Sequence, residues 1–588
     1  MFGGLEAYSA TITLIALTAL LAYSFHAVLM AGQLSLAQAG LASLAAFTST
    51  LVVPDEPLLG FVPPLVVAVV AGVVVGAVAA FLLGLPVSRL RGVFLAIATL
   101  AFGEVVRVVL INLPFAGGAQ GTSFAKIVGV PQAWLALAVV AWFFWRLEGS
   151  RYGRALAAIR EDELAARAMG IDVARHRLLA FVTAGAVAGL YGVLLAHFTR
   201  FLEPGDFGFA AAVDGLVTAV VGGVVMFAGP ILGSAFFTLV PEVQRALGVE
   251  AGWIRPFLSG LLLLLVILFL PGGLSGLLPR RRHGLPDLAG ATPDLPPLPP
   301  AGEPVAALQG VGKTYGGVTA VKSVDLDLRS GEVLGLIGPN GAGKTTLVNM
   351  LTGHVLPSSG EATVCGVRLG PGVSAHQVAS AGVGRTFQHS KLFERLSALD
   401  NVLVGAHRVS RPTLARRLLL LPSARRDERQ ALVQAARQLA RVGLQERAQV
   451  AAGDLSYGDQ RRLEIARALA ASPTLLVLDE PAAGMNHVEA SAMSELIRGL
   501  AADGVTVLLI EHNVRMVLET CTRIVVLDFG QVIAAGDPHT VAHDPKVIEA
   551  YLGSASPAPA TAPASSGSSP VVPSPSSSSS SSDELGAR

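Results

Sequence analysis

Residues Gly338 to Thr345 read Gly-Pro-Asn-Gly-Ala-Gly-Lys-Thr. Glycines at this spacing let backbone N–H groups close around the phosphates of a nucleotide. Lys344 then reaches the outer phosphates and Thr345 offers its hydroxyl to Mg²⁺. The apolar run Val333 to Ile337 leads in and a helix beginning near Lys344 leads out, the setting a phosphate loop needs. An unrelated glycine-rich turn is the duller alternative, and this strand and helix disfavour it.

Other reactive types follow downstream. Leu475 to Leu478 is an apolar strand running into Asp479 and Glu480. The first acid is placed to hold a Mg²⁺ shell and the second to polarise an attacking water. Leu455-Ser456-Tyr457-Gly458-Asp459-Gln460 opens a helix over Arg461 to Ala470, where the Ser456 hydroxyl and terminal N–H groups form an anion site. Gln388 follows Thr386-Phe387, and His512 follows the strand Val505 to Ile510 through Glu511. Read singly, each is equally an ordinary polar residue.

The elements that position these groups fall in two halves. At 588 residues the chain exceeds what one core supports. A hydrophobic content of 52% against 14% charged is too apolar for a soluble enzyme of this size. The net charge of +1 gives no reason to invoke nucleic acid. Cys365 and Cys521 show no metal spacing and read as small buried hydrophobes in a reducing compartment. No cleavable signal peptide is evident, so the first apolar run is expected to stay as a membrane anchor.

Apolar stretches suited to membrane crossing recur, about nine in all. They cover 10–29, 34–53, 61–84, 92–113, 132–146, 178–198, 210–227, 229–247 and 253–270. Arg89 and Arg91, the stretch Arg146 to Arg177, and Arg280-Arg281-Arg282 fall on one side, which the charge bias makes the cytoplasm. The loops near Pro54-Asp55-Glu56 and from Phe201 to Gly208 then face outward.

Glu104 and Arg107 share one face of an otherwise apolar helix. A lone charge there costs about 2.5–3.5 kcal/mol, so a structural ion pair is expected ahead of a direct substrate contact. Broken backbone at Gly32-Gln33-Leu34-Ser35 and Gly117-Gly118-Ala119-Gln120-Gly121 either lines a pathway or forms loops at the membrane edge. His26 and His197 have no obvious partner and read as packed or interfacial. Gly153 to Asp172 is the longest internal polar segment, with Leu156, Ile159, Leu164, Ala168 and Met169 at rough helical spacing. It is expected to dock into a groove on the nucleotide-binding half rather than remain a solvated loop. Leu285 to Pro304 is a proline-rich tether, and Ser554 to Arg588 is a serine-, proline- and alanine-rich tail too polar to fold.

The motifs of the second half, in their order, resemble the ATP-binding cassette superfamily over Ala306 to Gly553. The resemblance implies ATP and Mg²⁺ as cofactors. It implies an adenine-stacking Tyr315, a Walker A loop contributing Gly338, Asn340, Gly341, Gly343, Lys344, Thr345 and Thr346, and a Q-loop glutamine at Gln388. It makes Ser456, Gly458 and Gln460 signature residues that complete the partner cassette's site. It gives Thr345, Gln388 and Asp479 to the metal, with Glu480 and His512 catalytic. Two cassettes then sandwich two ATPs; closure drives the membrane domains and hydrolysis resets them. One position departs from the pattern: the loop after the Walker B strand ends in Asn486, where an aspartate is usual.

Pro481-Ala482-Ala483-Gly484-Met485-Asn486, the run Tyr457 to Ala470 and the terminal Val547 to Gly553 look like one ATPase subunit of the branched-chain amino acid importers. Gly32 to Gly40, Ala98 to Arg107 and Ser150 to Gly170 resemble a permease of the same system. The implied fold class is a polytopic α-helical membrane domain followed by an α/β P-loop ATP-binding cassette domain. Its expected bounds are a permease at 1–284, a linker at 285–304, a cassette at 305–553 and a tail at 554–588.

The implied function is ATP-driven import of branched-chain or other hydrophobic amino acids across the cytoplasmic (inner) membrane. Its implied partners are the lipid bilayer, an extracytoplasmic solute-binding protein, and either a second permease and ATPase or a second copy of the chain. A urea or short-amide importer is the alternative, weakened because that group favours Leu-Ser-His-Gly over the Leu-Ser-Tyr-Gly at Leu455–Gly458. A homodimeric exporter fits the number of spans poorly, and a merely anchored ATPase would need only one. An inactive cassette would be expected to lose Lys344, Glu480 or His512, and all three are present.

Overall fold

The computed structural model describes residues 8–53, 62–248, 254–279, 284–286, 296–409 and 422–552. The Pro54-Asp55-Glu56 loop, Arg280-Arg281-Arg282, most of the tether and the whole tail lie outside them.

Each apolar stretch of the first half coincides with a helix, because an apolar chain in lipid must satisfy its own backbone. These are α1 (Ser9–Leu29), α2 (Gln38–Val52), α3 (Pro64–Val87), α4 (Gly92–Ile111), α5 (Val130–Glu148), α8 (Val173–Thr199), α9 (Phe209–Gly222), α10 (Gly229–Ala246) and α11 (Ile254–Phe269). Between α5 and α8 lie two short polar helices, α6 (Arg151–Glu161) and α7 (Glu163–Ala168). Among the described residues only five helices, α1, α3, α4, α5 and α8, are long and apolar enough to cross a membrane. The expected count of about nine spans is not supported by length and composition. The break at Gly32–Ser35 shortens α2, Gly223 at φ 105° ends α9, and Glu242 and Arg245 make the last turns of the unbroken α10 polar.

Small residues set the packing. Helix α3 crosses α8 so closely that a Cβ on Gly76 would lie 2.1 Å from the Gly185 carbonyl oxygen, and one on Gly189 2.0 Å from that of Gly72. Outside α4, one-turn helices at Pro114–Ala116 and Gly118–Gln120 absorb the glycine-rich break. The strand β1 (Thr122–Ser123) that follows pairs with β2 (Phe201–Leu202). That break packs against the strand pair. His26 is buried in an aromatic cage of Tyr23 and Phe144, and His197 Nδ1 lies 2.8 Å from the Ala125 carbonyl.

The second half holds two sheets. β3 (Pro304–Tyr315), β4 (Val318–Arg329), β6 (Ser359–Val364) and β7 (Val367–Arg368) form an antiparallel sheet in the order β4-β3-β6-β7. β5 (Val333–Ile337), β8 (Val383–Arg385), β9 (Leu475–Asp479), β10 (Thr506–Ile510), β11 (Arg523–Asp528) and β12 (Gln531–Gly536) form the other, in the order β12-β11-β5-β10-β9-β8. Every pairing in that sheet is parallel except β11 with β12. Strands β5, β9 and β10 are buried throughout, as Val/Ile/Leu-rich strands in a covered parallel sheet must be.

Helices cover the faces: α12 (Lys344–Leu351), α13 (Ala375–Ala381), α14 (Ala398–Gly405), α15 (Pro422–Arg441), α16 (Tyr457–Ala470), α17 (His487–Ala502), α18 (Val514–Thr520), α19 (Pro538–Ala542) and α20 (Pro545–Leu552). In register, Ile510 lies beside both Asp479 and Leu336. The loops after β5, β9 and β10 therefore leave the sheet at one level, at the carboxyl ends where open parallel sheets bind ligands.

Candidate nucleotide site and its link to the membrane domain

β5 delivers Gly338 to a turn that only glycine fits. Gly338, Gly341 and Gly343 have φ of 149°, 83° and 99°. A Cβ on Gly338 would fall 2.0 Å from the Leu527 carbonyl oxygen. Lys344 opens α12, is 8% exposed, and donates through Nζ to the carbonyls of Gly338 at 2.6 Å and Pro339 at 3.0 Å. Burial pulls its ammonium below the usual lysine range, with Glu480 and Asp479 opposing that shift. Asn340, Gly341 and Thr345 are exposed, and Thr346 is half-buried.

Across the cleft, the β9 register carries Asp479 to the same level. Its backbone N–H donates to Thr386 Oγ1 at 3.2 Å, and its carboxylate lies 3.8 Å from Arg385 Nη2. Burial raises its pKa, an effect Arg385 counters. Glu480 sits at φ 49°, a strained backbone for a non-glycine residue. Its N–H donates to the Ile510 carbonyl, which turns the carboxylate toward two partners. Gln388 Nε2 donates to Glu480 Oε1 at 3.1 Å, and His512 Nε2 lies 3.0 Å from the same oxygen. The structure thus brings Gln388, Glu480 and His512 together at the edge where Lys344 and Asp479 stand.

The donor set suits MgATP. A hydroxyl, a carboxylate and a carboxamide are hard oxygen ligands, and Mg²⁺ takes few protein ligands when phosphates supply the rest. Because the Gln388 nitrogen is given to Glu480, its oxygen is the atom left for the cation.

The signature residues are not at this edge. Ser456 caps α16, its hydroxyl accepting from Asp459 N at 3.3 Å. Gly458 and Tyr457 face Glu489 and Gly484. Among the described residues no hydrogen bond joins Ser456 to Gln460 with the phosphate loop. Gln460 Nε2 donates to the Ala452 and Leu455 carbonyls and so braces its own loop. Tyr315 is exposed at the end of β3, with Lys313 Nζ 5.3 Å from its ring centroid. Asn486 is explained by capping: its side chain accepts from Glu489 N, and the Glu489 carboxylate accepts in turn from Asn486 N, both at 3.0 Å.

Residues unremarked in the sequence hold the site in place. Arg461 donates to the carbonyls of Phe387 and Gln388, and Glu464 Oε1 accepts from Phe387 N at 3.0 Å. Fully buried Arg467 donates to the Lys391 carbonyl at 2.6 Å. Burial raises the Glu464 pKa, with Arg467 opposing. Tyr551, on α20, accepts from the Gly338 N–H at 2.9 Å.

The loop that follows Gln388 touches the membrane domain. Lys391 Nζ donates to Asp162 Oδ2 at 2.7 Å, between α6 and α7, and Arg395 N donates to Glu161. Arg154 pairs with Glu428, and Arg151 Nε donates to His407 Nδ1 at 3.1 Å. Ala155, Ile159, Ala168 and Met169 share an apolar cluster with Phe387, Phe393 and Val404. The polar segment therefore docks, although not with every residue expected: Leu156 packs in the membrane core and Leu164 is 39% exposed. Arg91 pairs with Glu163 at 3.0 Å, which sets it on the cassette side.

Comparison with known proteins gives three family matches. Residues 7–268 match the permease component of branched-chain amino acid transport systems, 321–483 match the ABC transporter family, and 531–556 match the branched-chain amino acid ATP-binding cassette transporter family. The chain is 44% identical over 254 residues to the high-affinity branched-chain amino acid transport ATP-binding protein LivG of Salmonella typhimurium, covering 43% of this chain and 99% of that protein. It is 43% identical over 253 residues to BraF of Pseudomonas aeruginosa, a protein of the same description. Among solved structures, a nucleotide-free ATP-binding cassette from an ABC transporter is 28% identical, covering 43% of this chain and 100% of that one, with a TM-score of 0.38.

Proposed function

Because the chain belongs to the branched-chain amino acid ABC transporter family, with permease and ATPase joined in one polypeptide, we propose that it imports branched-chain or other hydrophobic amino acids at the expense of ATP. The observation that carries this reading is the continuous path from Glu480 through Gln388 and Lys391 to Asp162, which links a hydrolytic group to a membrane domain.

In the proposed mechanism Lys344 and the glycine backbone hold the phosphates while Thr345, Asp479 and Gln388 hold Mg²⁺. Mg²⁺ held there would supply charge neutralisation to the phosphates. Glu480 takes the proton of the attacking water, and His512 orients that carboxylate from 3.0 Å away. Tyr315 stacks the base. Ser456, Gly458 and Gln460 serve the site of a second cassette, since within this chain they stand apart from the phosphate loop. Closure onto that cassette shifts Gln388, and the Lys391–Asp162 pair passes the shift to α6 and α7.

The remaining parts of the reading follow from the family. The permease spans 1–284, the tether 285–304, the cassette 305–553 and the tail 554–588. α2, α9, α10 and α11 join the five longer helices in the cytoplasmic membrane, with the cassette in the cytoplasm. A second permease and ATPase, or a second copy, completes the transporter, and an extracytoplasmic protein delivers the solute.

Uptake of labelled leucine and labelled urea, in cells with and without the chain, tests the proposal. Leucine uptake lost on deletion, restored by the wild type and not by Lys344→Ala, is the expected result. Loss of urea uptake alone would overturn the amino acid assignment.

A further inference from the structure

Asp214 stands on the apolar helix α9 with its side chain exposed. Its backbone carbonyl accepts from Thr218, but its carboxylate has no hydrogen-bond or ion-pair partner among the described residues. Two neighbours fix its depth. A Cβ on the adjoining Gly215 would meet Phe25 at 2.5 Å and Leu21 at 3.0 Å, both on α1. One on Gly208, where α9 begins, would lie 3.9 Å from Arg107 Cδ of α4. Both α1 and α4 are long and apolar enough to cross a membrane.

At about 1.5 Å per residue, Leu21 lies roughly 18 Å along α1. By the same measure Arg107 is roughly 6 Å from the end of α4, and Asp214 roughly 9 Å beyond Gly208. α9 runs from Gly208 toward the cassette, where Val220 and Gly223 share a cavity wall with Arg395. Both routes set Asp214 near the middle of a hydrocarbon layer about 30 Å thick.

The helix in contact with α9 carries a second exposed polar group. Glu104 and Arg107 of α4 pair at 2.8 Å, yet their side chains stay 40% and 34% exposed. A charge facing lipid at the centre of a bilayer costs about 2.5–3.5 kcal/mol. A surface that leaves one carboxylate unpaired and one ion pair half open at that depth is therefore built to meet water.

We infer that the face shared by α4 and α9 lines a water-filled solute passage, and that Asp214 takes the ammonium group of the amino acid moving through it. Glu104 and Arg107 satisfy each other and keep the wall polar; Asp214 is the group left over. A carboxylate offers acceptors alone, and an ammonium offers donors alone. One wet carboxylate holds a cation weakly, as a passage requires if the solute is to leave. The ligand rests on the importer reading, and the passage rests on the exposed charges.

The first test is thiol modification of the full chain in lipid nanodiscs by the charged reagent 2-(trimethylammonium)ethyl methanethiosulfonate. Both native cysteines lie in the cassette, so the unmutated chain gives the background. Asp214→Cys should react at least about tenfold faster than Val74→Cys, a position 53% exposed on the mid-membrane part of α3, because the reactive thiolate forms in water. The second test is leucine uptake by cells. Asp214→Asn should lower it about tenfold, the scale of one charge-assisted hydrogen bond, and Asp214→Glu should restore most of it. An amide is cheaper than a carboxylate to hold in lipid, so a purely structural Asp214 predicts no loss in the Asn variant. Equal reactivity at the two cysteines, or full uptake by Asp214→Asn, overturns the inference. Leucine uptake by the wild type with an unreactive Asp214→Cys removes the passage from this face and leaves the importer. A reactive Asp214→Cys without chain-dependent leucine uptake overturns the ammonium assignment together with the importer and leaves the passage.

Discussion

Tyr551 accepts a hydrogen bond at 2.9 Å from the backbone N–H of Gly338, so the C-terminal helix of the cassette is fastened to the first residue of the phosphate loop. Lys344 grips the same residue from the other side through the Gly338 carbonyl. The hydroxyl thus holds the glycine peptide in the conformation that the loop requires before nucleotide arrives. A cavity of about 220 Å³, lined by Ile337, Val517, Val547 and Tyr551 among others, adjoins this contact.

Tyr551→Phe keeps the ring and removes the bond. A neutral hydrogen bond contributes about 1 kcal/mol, so KM for ATP should rise roughly fivefold with kcat little changed. Steady-state ATPase assays check the split. A fall in kcat at constant KM would place the hydroxyl's effect on the chemical step instead.

Glu480 carries the proton transfer in the proposed mechanism and touches both Gln388 and His512. Glu480→Gln keeps the volume and removes the base. Hydrolysis should fall by about 10²–10⁴ while ATP still binds. Single-turnover hydrolysis alongside equilibrium nucleotide binding separates the two effects.

The phosphate loop, the acids after β9 and His512 were legible because each follows an apolar strand, and the ends of adjacent parallel strands must lie at one level. The docking of Gly153 to Asp172 was legible from its periodicity, but Leu156 turned into the membrane core because the same helix also roofs that core. Arg461, Glu464 and Arg467 gave no signal, since charges three residues apart read as a solvated face until α16 is seen buried. Tyr551 lies 213 residues from its partner, beyond any local pattern. Gln460 matched a motif whose register placed it, while its actual hydrogen bonds depend on how the loop before α16 folds back. All nine apolar stretches became helices, but four are too short or too polar to cross a membrane by length and composition among the described residues, because hydropathy registers apolar content more readily than the points where a helix starts and stops.

The Lys391–Asp162 pair should transmit force rather than support chemistry, because neither residue reaches the phosphate loop. Burial alone would raise the Asp162 carboxyl, but Lys391 and the Ala165 N–H outweigh it and hold the pKa below the ordinary value. A depressed native pKa stabilises docking above the ordinary carboxylate range, and that stability is lost as pH falls from about 4 through the lower native value. Docking should therefore be flat with pH from neutrality down to about 5 and weaken only in stronger acid. Asp162→Asn should weaken it at neutral pH by about 1 kcal/mol, the scale of a partly exposed pair. Transport should then drop several-fold while ATP hydrolysis persists, and paired uptake and ATPase measurements in proteoliposomes would show the split. Parallel loss of both would mean that the pair serves the catalytic geometry itself.

The close crossing of α3 and α8 makes the sharpest structural prediction. Gly72, Gly76 and Ala80 recur every four residues on one helix, and Gly185 and Gly189 do the same on the other. Small residues at this spacing let helix backbones touch in lipid, where apolar burial gives no preference for one helix over another. The contact is backbone to backbone: a Cβ on Gly185 would meet the Gly76 carbonyl oxygen at 2.4 Å and the Ala80 Cβ at 2.3 Å. No rotamer change relieves such a clash, because the atoms in the way belong to the neighbouring helix itself. Gly76→Val or Gly185→Val must therefore push the helices apart, at the 1–3 kcal/mol or more typical of overpacking. Gly248→Val, at a glycine whose Cβ would meet nothing within 4 Å, carries only its own backbone strain and is the control for a generic glycine effect. The expected outcome is a strong fall in folded, detergent-extractable protein for the two crossing variants and a small one for the control. Equal losses in all three would show that glycine flexibility, rather than the crossing, is what these positions require.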